Sequence, residues 1–355
     1  MTEENLTISG ASLRRFIQDA LATTGMAPAD AATAADVLAT ADEFGVSTHG
    51  VKLLPGYLRR LNGGGARPQG RPHVLRDGPA WALVDGDSAL GALIGVFGMR
   101  TAIEKAKTAG IAYVGVRNSG HFAAAGYYAL MAARAGLVGI SVANDTPSVI
   151  APGAREPVVG TNPFSYAIPA GRHPPILLDM AISTVAGGKV YQARMLGKPI
   201  PDNWIVDRAG QPTSNAELYP EQASLVPAGG YKGFGLGLLI ETLAGLLSGA
   251  QVTFGVASWM LAGSDKPTHH GAAFIAIDPA VLGPREEFLE RVDKLIDEIH
   301  ATPTAAGVDR IMVPGDREFA QWERSQRELL LLLSDVAQNV REAAVIAGLD
   351  LAQYQ

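Results

Sequence analysis

The spacing of hydrophobic residues predicts a helical hairpin at the start of the chain. After Ser9, a residue type that caps helix N-termini, apolar residues recur at helical spacing as far as Leu21, and Gly25 ends the pattern. Pro28 opens a second, alanine-rich helix that runs to about Phe44. Two consecutive helices joined by a short turn are predicted to pack against each other as a hairpin.

Two helical stripes are predicted on the segment that follows. The buried stripe consists of Val51, Leu54, Leu58 and Leu61. A second stripe carries His49, Leu53 and Tyr57 at positions i, i+4 and i+8. A histidine and a tyrosine on one stripe can line a ligand pocket, although an ordinary amphipathic helix that begins with a histidine gives the same pattern.

A strand, a polar loop, a helix and a second strand are predicted around His121. Residues 111–116 are apolar and β-branched, 123–134 are alanine-rich, and 137–142 are again apolar. His121 lies in the loop at the start of the predicted helix, where the positive end of the helix dipole lowers the pKa of an imidazole. A neutral histidine can relay a proton near physiological pH; a histidine that only caps the helix is the alternative.

The remaining pattern alternates short strands and helices. Strands are predicted at 81–84, 164–168, 176–178 and 273–277, helices at 92–109, 238–247, 284–299 and 327–347, and a loop-rich excursion at 196–228. Asp179 follows one of these strands, which suits a ribose hydroxyl or a structural cap equally well. Lys189 lies on a further predicted helix. Lys232 lies in a glycine-rich helix start that suits either a phosphate or carboxylate site or a tight turn.

Composition narrows the function classes. The chain has 355 residues, no cysteine and a formal charge of −6. These values exclude disulfides and thiolate catalysis and give no electrostatic case for nucleic acid. The two histidines of Thr268-His-His-Gly271 lack partners at ligand spacing, so no metal is expected. Because Met1-Thr-Glu-Glu-Asn5 lacks a signal-peptide pattern and no apolar run reaches membrane-spanning length, we expect a cytoplasmic protein that does not enter membranes.

The chain has no Gly-x-Gly-x-x-Gly loop after an early strand, so a Rossmann fold is not supported. Residues 81–284 form a central region of predicted strands and helices that carries His121, Asp179 and Lys232, and we expect it to be the cofactor-binding and catalytic region. We expect the helical part at 1–80 to pack with the helical part at 285–355.

Taken in order, the motifs resemble the malate/L-lactate dehydrogenase type 2 family. That family includes ureidoglycolate dehydrogenase, sulfolactate dehydrogenase and cyclic-imine (piperideine/pyrroline-2-carboxylate) reductases. The matching stretches are Thr48-His-Gly-Val51, Asn118-Ser-Gly-His-Phe122, Gly160-Thr-Asn-Pro163, Asp179-Met-Ala181, Gly188-Lys189, Gly229-Gly-Tyr-Lys-Gly233 and Pro314-Gly-Asp316.

The resemblance implies an α/β, non-Rossmann NAD(P)-binding fold with a mixed, largely antiparallel central sheet surrounded by helices, in a homodimer. It implies hydride transfer between NAD or NADP and C2 of a 2-oxo or 2-hydroxy acid, or of an imine or amino acid. His121 corresponds to the proton-transfer position and His49 to a second essential histidine. The implied substrate-binding positions are Thr48, Leu53, Tyr57, Asn144 and Asp145. The implied cofactor-binding positions are Gly160, Thr161, Asn162, Asp179, Met180, Ala181, Lys189 and Lys232.

Several positions depart from the family pattern. Leu53 and Gly187 stand where the family usually has arginines, and Asp145 stands where it usually has serine. Ala123 and Ala272 replace a usual glycine and histidine. The missing cations and the added acid lead to the hypothesis of a less acidic, bulkier or cationic substrate, such as an imine or amine acid.

Two other functions fit the same residues. The histidine pair could serve a non-redox proton transfer, as in an isomerase or lyase on this fold. The chain could also be a catalytically silent binding protein, although the joint presence of His49, His121, Asp179 and Lys232 argues against it.

Overall fold

The computed structural model describes residues 4–354. Met1–Glu3, which belong to the N-terminal stretch considered above for a signal peptide, lie outside that range, as does Gln355. The helices of the described chain are α1 (Gly10–Ala22), α2 (Pro28–Glu43), α3 (Leu54–Gly63), α4 (Gly91–Ala109), α5 (Ala125–Arg134), α6 (Gly187–Met195), α7 (Tyr231–Ile240), α8 (Arg285–His300), α9 (Asp316–Ser325) and α10 (Ser334–Ala347). Along residues 4–354, no helix combines the length and apolar character needed to cross a bilayer.

The strands are β1 (Leu6–Ile8), β2 (His73–Gly78), β3 (Trp81–Asp85), β4 (Ile111–Ser119), β5 (Val138–Ala143), β6 (Val149–Ile150), β7 (Pro157–Val159), β8 (Phe164–Ile168), β9 (Ile176–Met180), β10 (Ile205–Asp207), β11 (Pro212–Thr213), β12 (Ala223–Leu225), β13 (His270–Ile277) and β14 (Leu330–Leu332). Seven of them form the central sheet in the order β2-β3-β4-β13-β5-β8-β9. Among the pairings of this sheet within residues 4–354, only that of β3 with β4 is parallel. The predicted mixed, largely antiparallel central sheet is therefore confirmed.

The N-terminal helices pack as the sequence predicts. Ser9 accepts a hydrogen bond from the N–H of Ser12 and so caps α1, and α1 packs on α2. The N-terminal and C-terminal parts of the chain meet, because β1 pairs with β14 and α3 packs on α10. However, β2 already belongs to the central sheet, so a boundary at residue 80 divides the β2–β3 hairpin. The division into these units is still a prediction.

Residues 196–228 are more ordered than the predicted loop-rich excursion. β10, β11 and β12 join β6 and β7 in a second, five-stranded sheet with its own apolar core, which includes Ile205, Leu225 and Val190 of α6. The strands are two or three residues long, which is too short to show a clear period in the sequence.

Two predicted helices have different bounds. The helix predicted over 238–247 begins at Tyr231 and ends in a π-helical turn at Glu241–Leu246. Its glycines allow close packing, because a Cβ at Gly233 would lie 2.4 Å from the carbonyl oxygen of Ala228. The helix predicted over 327–347 is instead β14 followed by α10. In the leucine run, Leu330 and Leu332 are buried and Leu331 is exposed, which is the two-residue period of a strand paired with β1.

Candidate active site

His121 and Tyr57 meet beside the end of β4. Nδ1 of His121 lies 2.8 Å from the Tyr57 hydroxyl, which α3 presents from a position that is only 2% exposed. The His49 ring lies nearly parallel to that of His121, with 5.9 Å between centroids. The three residues proposed from two separate motifs therefore converge. The second stripe is not one continuous helix, however, because His49 and Leu53 lie in two short 3₁₀ turns before α3.

Burial sets the proton affinity of this histidine pair. It lowers the pKa of His121 to about 3, with a further decrease from His49, while the Asp145 carboxylate acts in the opposite direction. Burial also lowers the pKa of His49, although the charge of the Asp145 carboxylate acts to raise it. The pKa of His121 is lowered, as the sequence predicts, but the cause is burial rather than the helix dipole. α5 begins only at Ala125, and the N–H of Gly126 in its first turn already donates to Asp179.

Trp259 packs on His121 and Tyr57 and was missed by the sequence analysis. Its indole stacks on the His121 imidazole at 4.6 Å between centroids and packs on Tyr57 at 5.7 Å. Arg60 holds this loop through hydrogen bonds to the carbonyl oxygens of Trp259 and Lys266. A tryptophan in a loop without periodicity carries no sequence signal for such a contact.

The His49 turn rests on a buried carboxyl group that was also missed. Asp42, 5% exposed, accepts a hydrogen bond from the N–H of Val51 at 2.7 Å. Its other oxygen has no partner among the described residues, and burial raises its pKa to about 8. Within the turn, the Thr48 hydroxyl lies 2.9 Å from Nδ1 of His49. Asp42 thus fixes the backbone that follows this histidine.

Leu53 lies in the main apolar core. Its side chain is 6% exposed, and its turn packs against α10. The neighbouring Lys52 is engaged outside the site, because its ammonium pairs with Asp335 at 2.6 Å. Neither Leu53 nor Lys52 therefore offers a free positive charge to this edge of the site.

Asp145 forms a second ionisable group beside the histidines. Its carboxylate contacts Nε2 of His270 at 3.1 Å and accepts hydrogen bonds from the Thr161 hydroxyl and the Thr146 N–H. Burial alone would raise the pKa of Asp145, but the hydrogen bond and charge of His270, together with His121, hold it below its usual value. His270 was noted in the sequence only as a poor metal ligand. Its pairing with Asp145 depends on a contact between residues far apart in the chain.

The two asparagines of the predicted site belong to a buried network under Asp145. Asn162 accepts from the N–H of Asp145 and donates to Glu241, and Asn144 donates to the carbonyl oxygen of Gln251. Both asparagine side chains are at most 1% exposed, so their polar atoms face the protein. A Cβ at Gly160 would lie 2.4 Å from the carbonyl oxygen of Asp145, so glycine lets this turn pack under the acid.

The remaining predicted cofactor positions lie at the end of β9, at the start of α7 and at the start of α6. Asp179 and Met180 end β9, and Ala181 follows it. The chain then runs beside the turn before α7, where the N–H of Ala228 donates to the carbonyl oxygen of Ile182. Lys232 is exposed in the first turn of α7, which has no side-chain cap. Lys189 is exposed in the first turn of α6.

A mixed, largely antiparallel sheet with a buried histidine pair beside one of its strand ends defines an α/β enzyme outside the Rossmann class. The family model described as malate/L-lactate dehydrogenase matches residues 8–340. The chain is 36% identical to the malate dehydrogenase of Pyrococcus horikoshii over 342 residues, which is 94% of either chain.

Solved structures agree with this match. The sulfolactate dehydrogenase of Methanocaldococcus jannaschii superposes with a TM-score of 0.90 at 32% identity, covering 98% of this chain and 99% of the other. The Δ1-piperideine-2-carboxylate reductase of Pseudomonas syringae pvar. tomato superposes with a TM-score of 0.86 at 30% identity, covering 96% and 100%. The chain belongs to the malate/L-lactate dehydrogenase family. Since these relatives are dehydrogenases and reductases, the comparisons support an oxidoreductase.

Proposed function

We propose that this protein is an NAD(P)H-dependent oxidoreductase that moves a hydride to or from C2 of a 2-oxo or 2-hydroxy acid, or of a cyclic imine or amino acid. The observation that carries the proposal is the buried pair of His121 and His49, with Nδ1 of His121 held by Tyr57. Relatives that act on malate, sulfolactate and piperideine-2-carboxylate share this fold.

His121 is assigned the proton transfer. Because Nδ1 faces Tyr57, Nε2 is the ring nitrogen left to exchange a proton with the substrate oxygen. The low pKa keeps the imidazole neutral, which suits acceptance of a proton while a 2-hydroxy acid is oxidised. For an imine substrate, which is already protonated when it reacts, the same histidine orients rather than donates.

The residues at the end of β9 and the start of α7 fit a nicotinamide dinucleotide, with NAD or NADP equally open. One carboxylate oxygen of Asp179 accepts a hydrogen bond from the N–H of Gly126. The other has no protein donor in the described chain, so it is free to accept from a ribose hydroxyl. Lys232 and the uncapped N–H groups of α7 offer positive charge to a pyrophosphate. Met180, Ala181, Lys189 and the turn Gly160-Thr161-Asn162 complete the proposed cofactor set. The bound cofactor supplies the hydride chemistry, and these residues supply position and charge.

The proposed substrate is atypical for the family. Thr48, Tyr57, Asn144 and Asp145 are the assigned substrate-side positions, and Leu53 replaces the arginine expected there. Leu53 supplies no cation and Asp145 supplies a carboxylate, which together favour a less acidic, bulkier or cationic molecule. Because the side-chain atoms of Asn144 are buried and hydrogen-bonded within the protein, we assign Asn144 the role of supporting the turn that carries Asp145.

A non-redox proton transfer is the second candidate. It draws on the pairing of Asp145 with His270 beside the two histidines, an arrangement of four titratable groups that needs no cofactor for acid–base chemistry. A change in nicotinamide absorbance during turnover separates the two functions.

We further propose that the protein works as a homodimer, as the family resemblance implies. α7 and the turn after it expose large apolar side chains, and such a face is typical of a subunit contact. These exposed residues are Tyr231, Leu238, Leu239, Leu246 and Leu247. Sedimentation of the wild type and of a Leu246→Glu variant tests the contact. The cytoplasmic location expected from the sequence is part of the same proposal.

The direct test of the proposed function is the binding of NADH and NADPH, followed by the enhancement of nicotinamide fluorescence. Tight binding of one of them supports the cofactor pocket and fixes its preference. Screening of oxo acids and imines with a single carboxylate then identifies the reaction. A folded protein that binds neither nucleotide would not be an oxidoreductase of this kind.

A further inference from the structure

The start of α6 carries unused hydrogen-bond donors. Its N-cap, Ala186, has no side chain able to cap the helix. The N–H of Lys189 donates to the Ala186 carbonyl, but those of Gly187 and Gly188 have no acceptor in the described part of the chain. Lys189 adds an exposed positive charge in the same turn. N–H groups of this kind attract an anion, although a helix start alone does not make a site.

A buried tyrosine points its hydroxyl at this helix start. Tyr219 is 6% exposed, and its ring packs edge-on against Tyr191. A Cβ placed on Gly187 would lie 2.6 Å from the Tyr219 hydroxyl, which therefore occupies the place where a side chain at position 187 would begin. The hydroxyl has no hydrogen-bond partner among residues 4–354. Because Cβ bonds in a helix lean toward its N-terminus, this hydroxyl lies on the side toward which the free N–H groups point.

The helix start also adjoins the histidine pair. A Cβ on Gly188 would lie 3.4 Å from Cγ2 of Thr48, and the Thr48 hydroxyl in turn contacts His49. Lys189 carries the positive charge of this helix start, whereas on the His49 side Lys52 pairs with Asp335 and Arg60 bonds backbone carbonyls. A substrate carboxylate held beside His49 therefore finds backbone N–H groups and a hydroxyl here, with the Lys189 ammonium in the same turn, rather than a guanidinium.

We propose that the Tyr219 hydroxyl and the N–H groups of Gly187 and Gly188 form the subsite that binds the carboxylate of the substrate. This inference rests on the proposed function and gives a 2-oxo, 2-hydroxy or imino acid its anchor. Tyr219 is then a specificity-determining residue contributed by the segment between the two short strands β11 and β12.

The charges around the subsite are compatible with an anion. Burial, with smaller contributions from Tyr191 and Asp145, raises the pKa of Tyr219 well above its usual value, so the hydroxyl keeps its proton to donate. The carboxylate of Asp145 is already matched by His270, Thr161 and the N–H of Thr146. The oxygens of Asp145 are thereby engaged by donors of the protein, which leaves the Tyr219 hydroxyl and the two N–H groups for a second carboxylate.

Oxalate, a small dicarboxylate that mimics a 2-oxo acid, is the probe for this subsite. We expect calorimetric titration to show roughly 10- to 100-fold weaker binding by Tyr219→Phe than by the wild type, since a hydrogen bond to a charged group is lost. Tyr191→Phe removes a hydroxyl from the same aromatic pair and is the matched control, with unchanged affinity. Gly187→Ala, whose methyl would displace the Tyr219 hydroxyl, is expected to weaken oxalate binding as well.

The titration is made with and without NADH, and circular dichroism establishes that each variant is folded. Equal oxalate affinity in the wild type, Tyr219→Phe and Gly187→Ala overturns the proposal, as does a wild type that binds no oxalate. Loss of NADH affinity in Tyr219→Phe, with oxalate affinity intact, would assign the helix start to a cofactor phosphate instead. A wild type that binds oxalate but no nucleotide rejects the proposed redox function and leaves the carboxylate subsite in place.

Discussion

The Tyr57 hydroxyl lies 2.8 Å from Nδ1 of His121 and 3.3 Å from the carbonyl oxygen of the same residue. One phenol therefore touches both the ring and the backbone of the proton-transfer histidine. The imidazole cannot rotate without breaking the first contact, so α3 sets the direction in which Nε2 points.

Replacement of this phenol tests how far orientation matters. We expect Tyr57→Phe to lower kcat by about tenfold and the free energy of unfolding by about 1 kcal/mol, the usual effect of one lost hydrogen bond. Steady-state kinetics and urea denaturation measure the two effects. Tyr127→Phe, which loses a hydroxyl bond to Asp36 away from the site, is the control and should keep its kcat. Identical kinetics in Tyr57→Phe would remove the positioning role.

His121 makes both activity and stability depend on pH. The unfolded chain protonates this residue near its usual pKa of about 6.5, whereas the folded protein resists protonation down to about 3. Because the unfolded state binds the extra proton, stability is greatest above the unfolded value and falls as pH drops toward 3. The loss is at most about 1.4 kcal/mol per pH unit.

His121→Gln should therefore lower kcat by about 10²- to 10⁴-fold and reduce the loss of stability between pH 7 and pH 4. Denaturant titrations at several pH values compare the slopes. His73→Gln, at an exposed site, is expected to retain the wild-type slope. A slope shared by the wild type and His121→Gln would contradict the assigned burial.

Asp42 makes the stability of the fold depend on pH in the opposite direction: stability falls as pH rises. Its folded pKa of about 8 lies above that of the unfolded chain, so its contribution to stability is complete below the unfolded value and is lost as pH rises through 8. The free energy of unfolding should fall by up to about 1.4 kcal/mol per pH unit from this group between pH 5 and pH 8.

Asp42→Asn retains an acceptor for the Val51 N–H and cannot ionise. We expect its stability to vary less over that range and its activity to persist at pH 8 or above. Chemical denaturation of both proteins from pH 5 to pH 8 measures the difference. If Asp42→Asn lost stability with rising pH as steeply as the wild type, another group would be responsible.

Leu53→Arg tests the origin of the unusual substrate. A guanidinium at this buried position is expected to destabilise the fold, since charge burial is costly, and to shift preference toward dicarboxylic 2-oxo acids. The ratio of kcat/KM for a dicarboxylic and a monocarboxylic 2-oxo acid measures preference independently of stability. Leu53→Met conserves volume and charge and should leave the ratio unchanged. No change in the ratio for a folded Leu53→Arg would refute the hypothesis.

Lys232 is expected to contribute charge to cofactor binding. Lys232→Met should weaken NADH binding about tenfold at low salt and less at high salt, because exposed charges are screened. Fluorescence titrations at two ionic strengths measure this effect. Lys294→Met, on the exposed face of α8, is the control with unchanged affinity. Unaltered binding by Lys232→Met would place the pyrophosphate elsewhere.

Local patterns were enough to predict most elements and the central histidines. Helical spacing placed Tyr57 and His49 on one segment, and the strand before His121 set that residue at the end of β4. Their partners could not be predicted in the same way. Trp259 and His270 reach the site from other segments, and nothing in their own neighbourhoods encodes those contacts. Asp145 was placed at the site by the family resemblance, but its pairing with His270 was not predicted. Short strands such as Leu330–Leu332 were missed because a leucine run hides a two-residue period.

The position of β13 links the assembly of the sheet to the formation of the site. This strand, residues 270–277, lies between β4 and β5, which precede it by more than 120 residues. During synthesis, the edges of β4 and β5 that pair with β13 therefore stay unpaired until three quarters of the chain has left the ribosome. This delay makes folding slow and leaves those two edges open to aggregation. His270 begins the same strand, so Asp145 gains its partner only when the last central strand is inserted. A chain stalled before that step has neither a closed sheet nor a complete site.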